Sequence, residues 1–398
     1  MKDAIAPGDR RRNATVLLIA IFCIAGGEQL WIAFVPKYLQ ALGASVLAIS
    51  AYGVGKDLLD AVYQFPGGAL TARFGARIAL VLFNALAIAG YLLTAAADRW
   101  WVVVAALPLI MAWQSFSLPA TFSIVGDALP KAERSTAFAW QSIVRRVPIA
   151  VAPVIGGALV TAFGIIAGVR IAILAGVVLS LVAAIVQWTS YRDAGSARLT
   201  IRDALADVVG LHASLKKLLL CDIIVRFGQG IGEIFIVLYA INVLGASAAT
   251  YGALVGLAMF TSIVVYLPAA RRADATGRGP WITATYLFFA AFPLSLSVVH
   301  SVAALPVSFA LMGLREIGEP PRKALIVDLA RAGRKSVDVG TYYFVRGLVV
   351  FPASFVGGLL WRVDPRLTFA AAAAVAAAGA LAFYRFARRG DLATTTSA

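Results

Sequence analysis

The sequence predicts an all-α membrane protein of twelve transmembrane helices, arranged as two related six-helix halves. Hydrophobic residues make up 61% of the 398 residues and charged residues only 14%, which is too little polar surface to coat a soluble particle of this size. The apolar runs are long and continuous, whereas the strands of an outer-membrane barrel alternate over about ten residues. The chain also repeats itself, since Leu42-Gly43-Ala44-Ser45 reappears as Leu244-Gly245-Ala246-Ser247.

The repetition continues along the chain. Single residues recur 201 positions later and in the same order: Pro119 as Pro320, Asp127 as Asp328, Arg145 as Arg346, and Gly156-Gly157 as Gly357-Gly358. Because so many matches in one order are not expected by chance, we predict two homologous halves. Two repeated halves of apolar helices are the usual architecture of a secondary transporter, whose substrate site lies between the halves near the bilayer midplane.

The individual spans follow from apolar stretches of about 20 residues, the length that crosses a bilayer. The N-terminal half, residues 1–190, has predicted spans near 14–38, 46–70, 77–97, 100–125, 136–162 and 169–190. The C-terminal half, residues 217–398, has predicted spans near 217–242, 248–270, 281–300, 302–327, 337–361 and 366–387, followed by a short cytoplasmic tail. The polar residues 191–216 form a cytoplasmic linker, either an amphipathic helix on the membrane face or a mobile segment.

The net charge of +15 is distributed asymmetrically along this topology. If both termini lie in the cytoplasm, the connections on the opposite side clearly contain only Arg99, Arg362 and Arg366. This positive-inside pattern predicts a multi-pass protein of the inner (cytoplasmic) membrane with both termini in the cytoplasm. The basic residues are therefore assigned to topology and to anionic lipid, and no nucleic-acid partner is expected. The two cysteines, Cys23 and Cys221, lie in apolar spans and offer no disulfide framework or metal spacing.

The connection between the second and third spans carries a recognisable motif. It reads Gly68-Ala69-Leu70-Thr71-Ala72-Arg73-Phe74-Gly75-Ala76-Arg77, and the equivalent connection after span eight reads Ala273-Asp274-Ala275-Thr276-Gly277-Arg278. With its twelve spans and long central loop, the chain resembles the major facilitator superfamily over its whole length. The first copy has Ala72 where the family has an aspartate, and the second keeps the acid. The resemblance implies that a gating motif latches helix ends in one of two states; its residues here are Gly68, Arg73, Gly75, Arg77, Asp274, Gly277 and Arg278.

Span five contains a second family motif. Its sequence Ala152-Pro153-Val154-Ile155-Gly156-Gly157 resembles the superfamily's antiporter motif, which marks exporters, at Pro153, Gly156 and Gly157. Two interpretations remain open, because proline and glycine in a helix also serve bending and ordinary close packing. In span four the family's motif has an arginine, whereas this chain has Gln114, and Arg315 supplies the charge at the equivalent position of the other half.

Charged residues inside the spans predict the proton-coupling site, since each costs about 2.5–3.5 kcal/mol at bilayer depth. Glu28 follows Gly26-Gly27 and has no basic residue within one helical turn of the sequence. Burial favours the protonated form of a carboxyl group, which suits a residue that takes up and releases a proton. Glu319 and Glu316 in span ten are the further candidates, and Glu319 precedes the helix-interrupting Pro320-Pro321.

Other intramembrane residues are candidates for the substrate cavity: Arg145, Arg315, Arg346, Gln114, Trp113 and Tyr342. Arg145 and Arg346 occupy equivalent positions in the two halves, where they would hold an anionic substrate or act as gate latches. Three pairs spaced by four residues are expected to share one helix face, and we interpret the second as structural: Lys56–Asp60, Asp222–Arg226 and Arg315–Glu319.

These observations predict a secondary active transporter of a small solute that works by alternating access and is coupled to protons, with export favoured by the span-five motif. The alternatives are a proton-coupled importer of a small organic anion, suggested by the intramembrane arginines, and a transporter fold used as a receptor or scaffold. No nucleophile–histidine–acid set or phosphate-binding loop is present in the sequence, so an enzyme is not expected. The expected partners are the bilayer, a small-molecule substrate and the proton, with the chain as a monomer and no cofactor or metal.

Overall fold

A computed structural model describes residues 7–74, 76–128, 134–190, 211–331 and 335–388. Every regular element in this part of the chain is a helix, which confirms the predicted all-α class. The first seven helices are α1 (Pro7–Gln29), α2 (Val35–Ala41), α3 (Val46–Phe74), α4 (Ala76–Ala95), α5 (Trp100–Ala128), α6 (Arg134–Phe163) and α7 (Ile165–Ser190). The next eight are α8 (Ala213–Glu233), α9 (Ala248–Thr276), α10 (Arg278–Val298), α11 (Leu305–Leu314), α12 (Glu319–Leu329), α13 (Lys335–Val350), α14 (Ala353–Val363) and α15 (Pro365–Arg388).

These helices make the twelve predicted passes, because α1 with α2, α11 with α12, and α13 with α14 each form one interrupted pass. Nine helical segments of the described chain are long and apolar enough to cross a membrane. The remaining passes are α3, which carries Lys56, Asp57 and Asp60, the α11–α12 pass, and α5. Three charged residues therefore set α3 apart from the nine apolar segments, and α5 is apolar over residues 100–114.

Several passes are broken near their middle. α8 ends at Glu233 and continues through Ile236–Leu238 into the π-helical turn Tyr239–Val243. Residues 315–318 separate α11 from α12, which has a proline in its first turn, where the missing backbone N–H costs no helical hydrogen bond. Breaks of this kind expose backbone and redirect side chains, and such breaks are tolerated at membrane depth only inside the protein.

The chain forms two compact units. One comprises residues 1–44, 58–201 and 247–256, and the other comprises residues 45–57, 202–246 and 257–398. Each unit thus contains most of one predicted half together with a short segment from the other half of the sequence. The helix α8 begins at Ala213, inside the predicted linker 191–216, and residues 191–210 of that linker lie outside the described residues.

The sequence repeat is also a repeat of local structure. Gly43 and Gly245 both adopt positive φ angles, 86° and 79°, which glycine reaches without the steric cost of a Cβ atom. Tyr38 donates a hydrogen bond to the carbonyl of Thr94 at 3.1 Å, and Tyr239 donates one to the carbonyl of Val299 at the same distance. The repeated Leu-Gly-Ala-Ser segment is therefore a glycine-dependent helix end used once in each half.

Candidate functional site

Asp222 on α8 is the centre of a buried ionic network in the second unit. Its carboxylate is fully buried and accepts hydrogen bonds from Arg322 at 2.6 Å and from Arg346 at 3.2 Å. Two phenol hydroxyls also donate to it, that of Tyr342 at 3.0 Å and that of Tyr286 at 3.3 Å. A carboxylate removed from solvent loses its hydration, and these four donors replace it.

Glu319 extends the network through Arg322. The guanidinium of Arg322 donates to Glu319 at 2.8 Å as well as to Asp222, so one arginine joins the two buried carboxylates. Arg226 also forms an ion pair with Glu319 and lies 3.8 Å from Asp222. The ordered chain of charges is Arg346, Asp222, Arg322, Glu319, Arg226. It combines three arginines with two carboxylates, drawn from α8, α12 and α13.

A second ion pair lies beside this network. Arg315 donates to Glu233 at 3.2 Å, and the two residues border a small cavity lined largely by α8, α10 and α15. Phe289 on α10 is in contact with both sets of charges, because the guanidinium of Arg226 lies 4.5 Å from its ring centroid and that of Arg315 lies 5.1 Å away. Cation–π contacts of this kind stabilise a guanidinium that has left water.

The structure places Glu28 in a different environment, in the first unit. Glu28 is only 6% exposed, and its Oε1 accepts a hydrogen bond of 2.6 Å from the hydroxyl of Tyr91 on α4. The ring of Trp31 meets that of Tyr91 edge to face, with centroids 5.6 Å apart. Glu28 is therefore a buried carboxyl group held by a neutral hydroxyl donor.

The three charged pairs that were predicted from a spacing of four residues differ in the contacts they make in the structure. Asp222 and Arg226 do approach each other, but as part of the larger network. The prediction that Arg315 shares a helix face with Glu319 is wrong, because the helix is interrupted at residues 315–318 and the two side chains take other partners. Lys56 contacts Asp57 at 3.5 Å.

The remaining cavity candidates are more dispersed. Arg346 is 24% exposed at its side chain, and its guanidinium lies 4.7 Å from the ring centroid of Tyr343. On α5, Trp113 is buried and Gln114 is half-buried. Glu316 is half-buried in the break before α12. Arg145 lies on α6, and its side chain is outside the described part of the structure.

The gating motif is described in part. In the first copy Arg77 stacks on Trp188, with 4.6 Å between the guanidinium carbon and the ring centroid, whereas Gly75 lies outside the described residues. In the second copy Gly277 has a φ of 91° and separates α9 from α10, and Arg278 forms an ion pair with Asp328. The side chains outside the described part are those of Arg73 and Asp274, and Gly68 lies in the same part of α3.

The glycine pair of the span-five motif has a counterpart in the second unit. A Cβ atom on Gly156 would overlap the carbonyl oxygen of Leu30, and one on Gly357 would overlap that of Ile231, the residue 201 positions after Leu30. The second glycine of each pair likewise packs against the start of another helix within its own unit. Because both halves repeat the arrangement, close helix packing accounts for the glycines of the motif.

Sequence reasoning missed three residues of these clusters. Arg322 follows Glu319 by three positions, a spacing that predicts an ion pair once α12 is known to start at Glu319. Tyr91 and Tyr286 gave no comparable signal, because they reach Glu28 and Asp222 from helices distant in sequence. Their roles depend on tertiary packing, which no local spacing records.

Comparison with solved structures identifies the fold. A POT family transporter in complex with a thioalcohol-conjugated peptide superposes with a TM-score of 0.77 at 13% identity, covering 95% of this chain and 96% of that one. A nucleoside transporter gives 0.73 at 11% identity, covering 94% and 99%. The human organic anion transporter MFSD10 gives 0.67 at 15% identity, again covering 94% and 99%. At these identities the likeness concerns the fold alone.

Sequence comparison identifies the family. An uncharacterized MFS-type transporter of Methanocaldococcus jannaschii is 31% identical over 97 residues, so the chain spans about a quarter of that relative, 24% of each sequence. The model of the Major Facilitator Superfamily matches residues 17–217 and again residues 218–398, one match for each repeat. The chain therefore belongs to the Major Facilitator Superfamily, a family of transporters, and is a multi-pass membrane protein.

Proposed function

We propose that this chain is a proton-coupled secondary transporter of a small solute that works by alternating access, with Glu28 as the proton carrier. The observation that carries the proposal is the short hydrogen bond between the buried Glu28 and Tyr91. A phenol hydroxyl donates to a carboxylate and accepts from a carboxylic acid. Tyr91 therefore satisfies Glu28 in both protonation states, as a residue that cycles between them requires.

Glu319 is the second candidate, and its environment differs in a way that ranks it below Glu28. Two guanidinium groups, those of Arg322 and Arg226, hold it. Guanidinium groups are donors only and keep their charge, so protonating Glu319 would leave buried positive charge without compensation. We assign Glu319 and Asp222 to holding the second unit together in one conformation, and we keep Glu319 as the residue to test if Glu28 fails.

Coupling needs more than a protonatable group. A proton drives a conformational change only if it binds more tightly in one state than in the other. In this proposal Glu28 is protonated in one of the inward- and outward-facing states and ionised in the other. The proposal includes insertion in the inner membrane with both termini in the cytoplasm, and a monomer as the transporting unit.

Export is the direction favoured by the resemblance of span five to the antiporter motif, a resemblance that now rests on Pro153, because close packing accounts for Gly156 and Gly157. A second candidate, import of a small organic anion, is favoured by Arg346. This arginine neutralises Asp222 while its side chain stays partly exposed, so it can offer a donor pair to a carboxylate or phosphate. Transporters of the same fold have been solved with 5-aminolevulinic acid and with peptides, and one is named an organic anion transporter. These compound classes belong in any screen.

A thermal-shift screen of the purified protein is the first experiment, because a ligand that binds the native state raises its apparent stability. The compounds are peptides, amino acids, nucleosides, organic acids, sugars and drugs. Compounds that bind are then tested for flux in liposomes with an imposed pH gradient, with and without a protonophore. We expect accumulation or extrusion that collapses when the gradient is dissipated. Flux that ignores the pH gradient would refute proton coupling, and binding without any flux would favour the receptor or scaffold alternative.

A further inference from the structure

A line of polar residues follows the α4 helix at intervals of two helical turns. Arg77, Asn84 and Tyr91 lie seven residues apart, and Asp98 follows at the same interval just beyond the end of the helix. Seven residues advance about 10.5 Å and return to nearly the same helix face. The line from Arg77 to Asp98 is therefore about 31 Å long, close to the thickness of the hydrocarbon core of a bilayer, about 30 Å.

The α7 helix packs against this line and matches it at three levels. At one end Trp188 contacts Arg77, and at the other Arg170 donates to Asp98 at 2.8 Å. Between them the side-chain amide of Asn84 donates to the backbone carbonyl of Ser180 at 2.8 Å. We call the contact between these two helices, from the Arg77–Trp188 pair at one end to the Asp98–Arg170 pair at the other, the α4–α7 seam.

The seam contains buried polar atoms that no group of the described residues satisfies. Asn84, Ser180 and Gln187 are almost completely buried, with exposures of 0%, 0% and 1%. Within the described part of the chain, Asn84 Oδ1, Ser180 Oγ and both polar atoms of Gln187 have no hydrogen-bond partner. Buried polar atoms in proteins are nearly always paired, and internal water is the usual partner where several converge. Four such atoms along one seam point to bound water.

The unpaired atoms of Asn84, Ser180 and Gln187 all lie on one side of Glu28. Gly27 packs directly on Gly176 of α7, where a Cβ atom on Gly27 would come within 2.8 Å of the Gly176 Cα atom. Ser180 and Gln187 are four and eleven residues further along α7, which places them about 6 and 16 Å from that level, towards the Arg77 end. Tyr91 donates its hydrogen bond to Glu28 from α4, and Asn84 lies two helical turns from Tyr91 towards the Arg77 end.

The other end of the seam is closed by satisfied groups. Arg170 donates to the carbonyl of Ala97 at 2.7 Å and to Asp98, and Tyr38 donates to the carbonyl of Thr94. At the level of Glu28, the buried indole Nε1 of Trp31, whose ring meets that of Tyr91, also has no hydrogen-bond partner within the described residues. The Asp98 end is tied by protein hydrogen bonds, whereas the Arg77 side presents donors and acceptors to a small polar molecule.

We propose that the α4–α7 seam holds a row of internal water molecules that connects Glu28 with the Arg77 end of the first unit and supplies its proton. The charge asymmetry of the sequence predicts that this end is cytoplasmic. The step is the reversible transfer of one proton from a hydronium ion at the Arg77 end to the Glu28 carboxylate. Each water of the row takes up one proton and passes one on, so no hydroxide is left behind, and Tyr91 turns its hydroxyl to accept from the acid. The inference rests on the proposed function in one respect, which is that Glu28 carries the proton.

Other charged and titratable groups lie on the helices around Glu28, and their titration must be distinguished from that of Glu28. Those described on α1 and on the helices α4 to α7 around it, besides Glu28 and Tyr91, are Arg12, Cys23, Arg77, Arg146 and Arg170. Arg77 and Arg170 mark the two ends of the seam. The test must therefore assign any titration to Glu28 itself, which the Glu28→Gln variant does.

The first test measures the protonation rate of Glu28. A pH jump applied to the reconstituted protein is followed by infrared spectroscopy, and the carboxyl band lost in Glu28→Gln is assigned to this residue. Gln187→Met and Ser180→Ala remove polar atoms from the seam, and we expect each to slow the appearance of the band by about tenfold or more. Gln187→Asn retains an amide and should retain most of the rate.

Ser308→Ala is the matched control, because Ser308 is also buried with an unpaired hydroxyl but lies on α11 in the second unit. An unchanged rate in Gln187→Met and Ser180→Ala would overturn the water route while leaving Glu28 as the carrier. Equal slowing by Ser308→Ala would also overturn it, since the effect would then be a general one.

A second test detects the water without relying on Glu28 function. Hydroxyl-radical footprinting marks side chains that contact internal water, even when they are closed to bulk solvent. We expect Tyr91 to be labelled in the native protein and labelled several-fold less in Gln187→Met. Absence of labelling at Tyr91 would refute the water row. If no infrared band depends on Glu28 while Tyr91 is labelled, the proposed function fails and the water-filled seam stands.

Discussion

Removal of the central arginine of the ionic network gives the sharpest stability prediction. Arg322 is 2% exposed and bridges the two buried carboxylates, Asp222 at 2.6 Å and Glu319 at 2.8 Å. In Arg322→Met both carboxylates lose their strongest partner, although Arg346 still reaches Asp222 and Arg226 still reaches Glu319. Breaking a buried ion pair by removing one partner costs about 3–5 kcal/mol. Because partial compensation remains, we expect a loss of about 3 kcal/mol.

The free energy of unfolding is measured by denaturant titration in detergent micelles, followed by circular dichroism. Arg315→Met is the matched control, since it removes an arginine of the neighbouring pair, whose partner Glu233 is 40% exposed at its side chain. Arg315 itself is only 9% exposed at its side chain, but its removal leaves a single carboxylate without this partner, and that carboxylate stays in contact with solvent. The control should therefore destabilise the protein by less than Arg322→Met does.

A double variant tests whether the loss comes from uncompensated charge. Adding Glu319→Gln to Arg322→Met removes one of the carboxylates left with too few partners, so part of the lost stability should return. If Arg322→Met costs no more than Arg315→Met, or if the double variant is less stable than the single one, the network does not hold this unit together as described.

Three further predictions concern topology, gating and packing. A cysteine at Ser196, in a background without native cysteines, should react only with reagents that reach the cytoplasm. Labelling from outside would show that the orientation in the membrane is the reverse of the predicted one. Arg278→Gln and Asp328→Asn should slow turnover in vesicles to similar extents with ligand affinity retained, and the double variant should be no slower than either; additive losses would show that the pair does not act as one unit. Gly156→Ala should destabilise the protein by about 1–3 kcal/mol in the same titration, because its Cβ overlaps the Leu30 carbonyl; an unchanged stability would mean that α1 and α6 are more loosely packed.

The fold could be predicted because the features that determine it can be read along the sequence without knowing which residues are in contact. Long apolar runs fix the passes, and the recurrence of residues such as Gly156 at Gly357 fixes the two halves. The interruption at residues 315–318 was only partly foreseeable. Pro320 and Pro321 signal a discontinuity, but proline is also accepted in the first turn of a new helix. The side chain of Arg315 was therefore given the wrong partner.

Of the candidate site, the sequence could predict only the charged residues, because a charge inside a membrane span is costly to bury. Intramembrane charges such as Glu28, Asp222 and Glu319 stand out in an apolar chain. Their partners do not, because Tyr91 pairs with Glu28 across 63 residues and Arg322 pairs with Asp222 across 100 residues. The sequence thus indicates which groups need compensation, and only the packing of the helices shows what compensates each one.

The same limit applies to the motif of span five. Read alone, Gly156 and Gly157 suggest an exporter, and the sequence left this open beside plain packing. The structure shows that Gly357 packs on Ile231 as Gly156 packs on Leu30. The shared geometry supplies a structural reason for the glycines in both halves, so the direction of transport has to be measured.

The measurement that tests the central claim most directly is transport by Glu28→Gln in liposomes, compared with Glu319→Gln and the native protein. Glutamine resembles the protonated form of Glu28 and keeps the hydrogen bond to Tyr91 possible. We predict that Glu28→Gln folds, binds ligand and exchanges it across the membrane, yet no longer accumulates or extrudes it under a pH gradient. Retention of full gradient-driven transport by Glu28→Gln, with its loss in Glu319→Gln, would contradict the account and place the proton carrier in the second unit.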